Sequence, residues 1–337
     1  MAATRHKLVA FSDLAPCEDR VIQIVEMGRR LLMLSVAMLT LAGIVRAATI
    51  PPFFINSVVA LGAMQLVSEP GKPPHMQWVT EGTGFFYGYL AKDDPDPTKK
   101  QYEVYLATAK HVVQGHPASL GDIAVRVNPK VANSPPGEFT IPTHPSDGVS
   151  WIFHDDPAVD VAIVQVNLSL LRSQEFESDF FPNDTVSADR EKLASLGASS
   201  GDGIFVLGFP MGLTGEQKNY VIVREGIIAR LTEMIDKVSS KFMIDSFVFP
   251  GNSGGQVVLK PEITSIQGTS SINSAYLIGV VVDYLPYNDI AVSNQTKRPR
   301  ISFEENSGLA EVIPMNFVDE TIKSWQVKRP KPSAPTQ

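Results

Sequence analysis

An all-β fold is predicted by two features of the 337-residue sequence. Short β-branched runs recur with turn residues between them, and several alternate apolar and polar residues with a period of two. Strands at this spacing indicate a barrel or a sandwich. The chain is long enough for one large or two medium domains with ample core.

The first stretch reads as a targeting segment. Arg29-Arg30 precede an apolar run, Leu31 to Val45, followed by Arg46-Ala47-Ala48. A basic flank, a short apolar core and small residues at Val45 and Ala47 fit a secretory signal, and Met27 is a second candidate start. The run is shorter than the ~20 residues of a spanning helix. Residues 1–48 are therefore expected to be a cleaved signal, with a retained anchor as the other reading. Export to a secreted or periplasmic location follows, without stable membrane insertion once the signal is removed.

Ile55 to Leu61 opens the strand series. Gly84 to Leu90 and Gln101 to Leu106 flank the connector Ala91 to Lys100, which is too polar and proline-rich for anything but an exposed loop. Ile123 to Val127 and Val161 to Val166 follow as half-buried strands. Between Leu168 and Asp202 the pattern loosens. A short helix is expected within Asp184 to Leu196, ending near Gly197, and Ser199 to Gly203 reads as a turn. Strand signals resume at Ile204 to Leu207, Tyr220 to Arg224, Gly226 to Leu231, Phe242 to Val248, Gln256 to Leu259 and Ala275 to Val282. Leu285 to Arg300 reads as a polar loop, with a last strand at Ile301 to Phe303 or Gly308 to Ile313. Val318, Ile322 and Trp325 then recur at helical spacing within Met315 to Gln326, predicting a terminal helix laid against the second half. The resulting division is 1–48 signal, 49–172 first half, 173–202 linker, 203–326 second half with the helix, and 327–337 disordered tail.

The formal charge is −7, and 23 basic residues stand against 32 acidic ones beyond position 47, which argues against a nucleic-acid partner. Cys17 is the single cysteine, so no intrachain disulfide forms and stability must come from packing. No His-x-x-x-His, cysteine pair or Gly-Lys-Ser/Thr spacing is present, so neither a metal nor another cofactor is expected.

The chemistry points to Phe249-Pro250-Gly251-Asn252-Ser253-Gly254-Gly255-Gln256-Val257. Pro250 and three glycines disfavour a helix and suit a tight turn with Ser253 at its apex and N–H groups converging on it. Attack on an ester or amide needs a hydroxyl nucleophile, a neighbouring base and donors aimed at the developing oxyanion. Gly-Asn-Ser-Gly-Gly also satisfies the elbow of the α/β-hydrolases. That fold places its histidine after the serine, whereas His6, His75, His111, His116, His144 and His154 all precede Ser253. The order His…Asp…Ser remains.

Upstream lie Leu106-Ala107-Thr108-Ala109-Lys110-His111-Val112-Val113 and Asp156-Pro157-Ala158-Val159-Asp160-Val161-Ala162-Ile163-Val164. With Gly82-Thr83-Gly84-Phe85 before them and Gly208-Phe209-Pro210-Met211-Gly212 after, the set resembles the trypsin-like serine proteases of the chymotrypsin fold, in family order from Ile55 to Ile322. The bacterial HtrA-like branch is the nearest in appearance, with no room for a PDZ module after the helix. The resemblance implies two six-stranded antiparallel β-barrels with a C-terminal helix. It implies His111 as base, Asp160 as its carboxylate and Ser253 as nucleophile, with the N–H groups of Gly251 and Ser253 as the oxyanion hole. Asp155 and Asp156 compete with Asp160 but fall in an Asp-Asp-Pro turn. His116, His144 and His154 read as surface residues. Phe247 falls where the family sets its primary specificity pocket, with Asp283 and Tyr284 near the opposite wall. Asn252 in place of the acid of trypsin implies no activation by an ion pair to a new N-terminus. The expected activity is serine endopeptidase on protein or peptide substrates. A catalytically silent, protease-like binding or chaperone protein of the cell envelope is the alternative.

Overall fold

The computed structural model describes residues 50–68, 70–131, 133–142, 150–262, 266 and 268–329. Residues 1–49, with the expected signal and Cys17, most of the expected tail, and His144 lie outside the described residues.

Among the described residues fourteen strands form two sheets. The first sheet takes β1 (Val58–Val67), β2 (His75–Lys92), β3 (Gln101–Thr108), β4 (Ile123–Val127), β5 (Gly137–Ile141), β6 (Ile152–Phe153), β7 (Ala162–Gln165) and β8 (Phe181–Pro182). Its antiparallel order is β5-β4-β1-β2-β3-β7-β6, and β8 pairs with β2 in parallel. The second sheet takes β9 (Gly203–Gly208), β10 (Ile222–Arg230), β11 (Phe242–Asp245), β12 (Gln256–Leu259), β13 (Tyr276–Val292) and β14 (Pro299–Pro314). These six close on themselves as β10-β11-β14-β13-β12-β9. The chymotrypsin-like architecture holds, with one difference in detail. The second half is a closed six-stranded barrel; the end strands of the first, β5 and β6, are not paired to each other among the described residues.

Period-two alternation explains how the halves share a core. In β9, Ile204 and Val206 face the interior of the closed barrel, while Phe205, Leu207 and the following Phe209 join the cluster of the first sheet. Both faces are buried, so β9 reads as an uninterrupted apolar run. The first core is aromatic: Phe54 meets Phe181 at 4.8 Å between ring centroids, and Phe85 meets Phe181 edge-on at 6.0 Å. Residues 173–202 therefore contribute core as well as connection. The helix expected there spans Arg190–Leu196, capped by Asp189 through the N–H of Lys192 and ended by Gly197 at φ 71°.

Three sequence expectations are corrected. Leu285 to Arg300 is not a polar loop: β13 and β14 pair as a long hairpin through Val292↔Pro299. No alternation betrayed it, because both faces are exposed and cross-strand pairing alone makes the strands. The terminal helix, Met315–Lys328, lies on β6 and β7 of the first sheet as well as on β13 and β14. Its buried stripe of Met315, Val318 and Ile322 belongs to the first core. Its polar tethers also reach the first half, where Tyr87 donates to Asp319 at 2.8 Å and Arg329 grips both oxygens of Glu103 at 3.0 and 2.8 Å. Finally, His116 is buried, with Nδ1 2.7 Å from Glu81, and His154 is largely covered by the ring of Phe317. Glu81 lies 35 residues upstream of His116, too far for the local sequence to reveal the pair.

Candidate active site

β3 ends at Thr108, and the helix Lys110–Gln114 starts two residues later, which places His111 at the rim of the first sheet. Val112 seats this helix: a Cβ on Gly82 would lie 2.5 Å from its Cγ1, so glycine alone lets the helix approach β2. Asp160 immediately precedes the apolar run into β7 and faces the same rim. Its Oδ2 lies 2.6 Å from Nδ1 of His111, and its Oδ1 accepts the His111 backbone N–H at 2.8 Å. Two contacts from one carboxylate fix both ring and backbone. Burial pushes the Asp160 carboxyl up, but the His111 ring and N–H outweigh it and hold the group below the usual carboxylate range. Nδ1–H donated to Asp160 leaves Nε2 as the proton acceptor, the tautomer a general base requires. Asp155, the competing acid, instead receives Ser324 and Lys328 of the terminal helix, while Asp156 caps its own turn at Ala158.

Ser253 sits between β11 and β12 in the turn predicted for it. Gly251 and Gly254 both adopt left-handed φ, 96° and 83°. Their backs are closed as well: a Cβ on Gly251 would meet Phe209 O at 2.3 Å, and one on Gly254 would meet Thr83 O at 2.0 Å. Asn252 is buried, with its N–H donating to Phe249 O at 2.9 Å and its Oδ1 accepting Phe249 N–H at 3.1 Å. The turn is thus braced by an amide rather than by an ion pair. Among the described residues no partner takes the N–H of Gly251 or of Ser253. These are the two donors an oxyanion would need.

Thr83 joins the serine turn to the histidine strand. Its N–H donates to Ser253 O at 2.8 Å and its hydroxyl to Gly251 O at 2.7 Å. The same hydroxyl accepts Phe209 N–H at 3.1 Å, and Thr83 O accepts the hydroxyl of Thr108 at 2.7 Å. Every polar atom of this fully buried residue is engaged. Ser253 and His111 are therefore held on one rim, although no hydrogen bond links Ser253 Oγ to the His111 ring, whose bond is to Asp160.

On the far side of the turn, Gly254 N–H donates to Val281 O at 2.8 Å and Val281 N–H to Gly255 O at 2.9 Å. β13 thus passes directly beside Ser253. Asp283 on this strand is exposed, and its carboxylate takes the N–H of Tyr284 at 2.8 Å; the Tyr284 hydroxyl donates to Glu304 at 2.7 Å. Phe247 is exposed and lines an open groove with Ile227, Lys260 and Glu262.

Sequence reasoning missed a brace from the first sheet. Arg126, 4% exposed, donates to Gly215 O at 2.9 Å and Glu216 O at 2.5 Å, and Asn128 and Asn219 exchange side-chain-to-backbone hydrogen bonds beside it. The segment so held begins at Phe209, against which Gly251 packs. The Gly82-Thr83-Gly84 motif was a visible signal for Thr83; nothing in Ile-Ala-Val-Arg-Val marked Arg126.

The paired His111 and Asp160 and a serine turn with two unclaimed amides make up the candidate site of the double-sheet fold. The chain belongs to the trypsin-like peptidase domain family, whose match covers residues 82–261, more than half of the sequence. Proteins of this family act on peptide or protein substrates. Among solved structures, the chain is similar to the MamO protease domain from Magnetospirillum magneticum in its apo form, at 14% identity over 79% of this chain and 96% of that one, TM-score 0.37. It is also similar to the Rv3671c protease from M. tuberculosis in its active form, at 16% identity over 83% of this chain and 85% of that one, TM-score 0.37. No curated protein matches the sequence.

Proposed function

We propose that the chain is a serine endopeptidase working through Ser253, His111 and Asp160. The observation that carries this reading is the double hold of Asp160 on His111 at 2.6 and 2.8 Å, on the rim to which Thr83 ties the Ser253 turn. The reaction requires the Ser253 hydroxyl to reach Nε2 of His111, a contact that commonly tightens only with substrate. Oγ then attacks the scissile carbonyl while its proton passes to Nε2, and the oxyanion takes the N–H groups of Gly251 and Ser253. Asp160 stabilises the imidazolium. Collapse breaks the C–N bond, His111 returns the proton to the leaving amine, and an ester to Ser253 remains. Water activated by the same imidazole hydrolyses that ester. Substrate backbone pairs with β13 beyond Val281, which places Asp283 and Tyr284 beside it; Phe247 belongs to the approach to the primary pocket. No cofactor enters the reaction. Residues 1–48 serve export, which puts the enzyme in the envelope or outside the cell. Among the described residues no helix is long and apolar enough to cross a membrane.

The unformed bond between Ser253 and His111 favours a second reading, a folded but silent binding protein. A fluorophosphonate probe separates the two. Labelling of the wild type and not of Ser253→Ala is the expected result. Absence of labelling in folded wild-type protein overturns the enzyme reading.

A further inference from the structure

β11 stays paired with β14 as far as Leu309, and from Pro286↔Asn306 outward β13 and β14 pair with each other alone among the described residues, leaving the barrel as a two-stranded arm. Pro286 to Val292 spans roughly 20 Å at about 3.3 Å per residue. A two-stranded ribbon without a third strand or a covering layer is marginal in water. This one also exposes apolar side chains on both faces. Directly opposed residues share a face, so Tyr287, Ile301 and Phe303 lie on one side, with Ile290 and Val292 on the other. All five are about half exposed or more.

Charge along the arm is segregated. Glu304 and Glu305 stand near its base and Asp289, opposite Phe303, at mid-length. From Ile290 to Phe303 no acid occurs, and Lys297, Arg298 and Arg300 crowd the tip of a chain whose net charge is −7. Val281, five residues before Pro286 on the same strand, exchanges hydrogen bonds with the turn that carries Ser253.

We propose that this arm is a membrane-surface anchor that inserts its tip into an anionic lipid bilayer. A protein partner laid against the ribbon would cover one face and leave the other wet. A headgroup layer surrounds the ribbon, covers both faces, and offers anionic groups to the three cations at the tip. The Ser253 turn is then tethered an arm's length, roughly 20 Å, from the inserted tip. The anchor itself does not depend on the catalytic reading.

The test uses the full chain with a polarity-sensitive fluorophore at the arm, on Thr296→Cys in a Cys17→Ser background. Vesicles of phosphatidylcholine with a third phosphatidylglycerol are expected to shift the emission to the blue, and pure phosphatidylcholine vesicles are not. Because the probe reports only from the tip, residues 31–45 cannot produce the signal. Neutralising Lys297, Arg298 and Arg300 to Gln is expected to weaken binding on the order of a hundredfold, from about fivefold per cation. Ile290→Ser with Ile301→Ser should abolish the shift, and raised salt should weaken it. No shift with anionic vesicles, or a shift that survives both sets of substitutions, overturns the proposal. So does a concentration-dependent shift without lipid, which would make the arm a contact between copies of the chain.

Discussion

Replacing Thr83 by valine keeps shape and volume but removes the hydroxyl that joins the two halves at the site. Two buried groups lose their partner: Phe209 N–H, now 3.1 Å from Oγ1, and Gly251 O, now 2.7 Å from it. An unsatisfied buried polar group costs about 1–3 kcal/mol, so leaving both in place would cost roughly 2–6 kcal/mol. The turn relieves part of this by rotating the Gly251–Asn252 peptide. That rotation moves the neighbouring N–H groups of Gly251 and Ser253 away from the oxyanion position, and loss of one such donor slows acyl transfer by ~10²–10³. The expected outcome for Thr83→Val is a folded protein, less stable by about 2 kcal/mol, that phosphonylates at Ser253 roughly a hundredfold more slowly. Thr83→Ser keeps the hydroxyl and should stay within a few-fold of wild type. Second-order labelling rates with a fluorophosphonate, beside thermal melts, measure both quantities. Wild-type labelling by a folded Thr83→Val, or equal slowing in Thr83→Ser, would refute the positioning argument.

Two further outcomes are expected. Asp160→Asn keeps the size of the side chain but can present an N–H to the imidazole, reversing the tautomer, and should lower the labelling rate by about 10³–10⁴; a loss under tenfold would remove Asp160 from the mechanism. Asp319 is held up at about 6 by burial, with Tyr87 donating to it. The folded state therefore binds a proton that the unfolded state has lost, so this group's stabilisation is full below about pH 4 and disappears as pH rises through 6, by ~2–3 kcal/mol. Asp319→Asn carries no such dependence, so its stability should gain on wild type between pH 4.5 and 7.5. A difference that stays flat across that range in denaturant titrations would contradict the assignment.

Ser253 was legible as a candidate from its own glycine turn, and His111 and Asp160 as candidates from motifs in the order of the trypsin-like proteases. The supporting residues were not. Thr83 reaches Gly251 across 168 positions and Arg126 reaches Glu216 across 90, and no local pattern records such a pairing. The hairpin arm failed for the opposite reason. With both faces exposed it has no hydrophobic period, so its strands exist only through each other.

Local chemistry therefore determined the all-β class, the terminal helix and the turn that carries Ser253, because turn glycines and hydrophobic periodicity act over a few residues, while His111 and Asp160 came as candidates from the family resemblance. Tertiary structure decided which sheet receives the helix, that His116 is buried against Glu81, and that Thr83 rather than any neighbour in sequence holds the serine turn to the histidine strand. Those outcomes depend on which surfaces meet when two sheets pack, and hydrophobic burial is indifferent to separation along the chain.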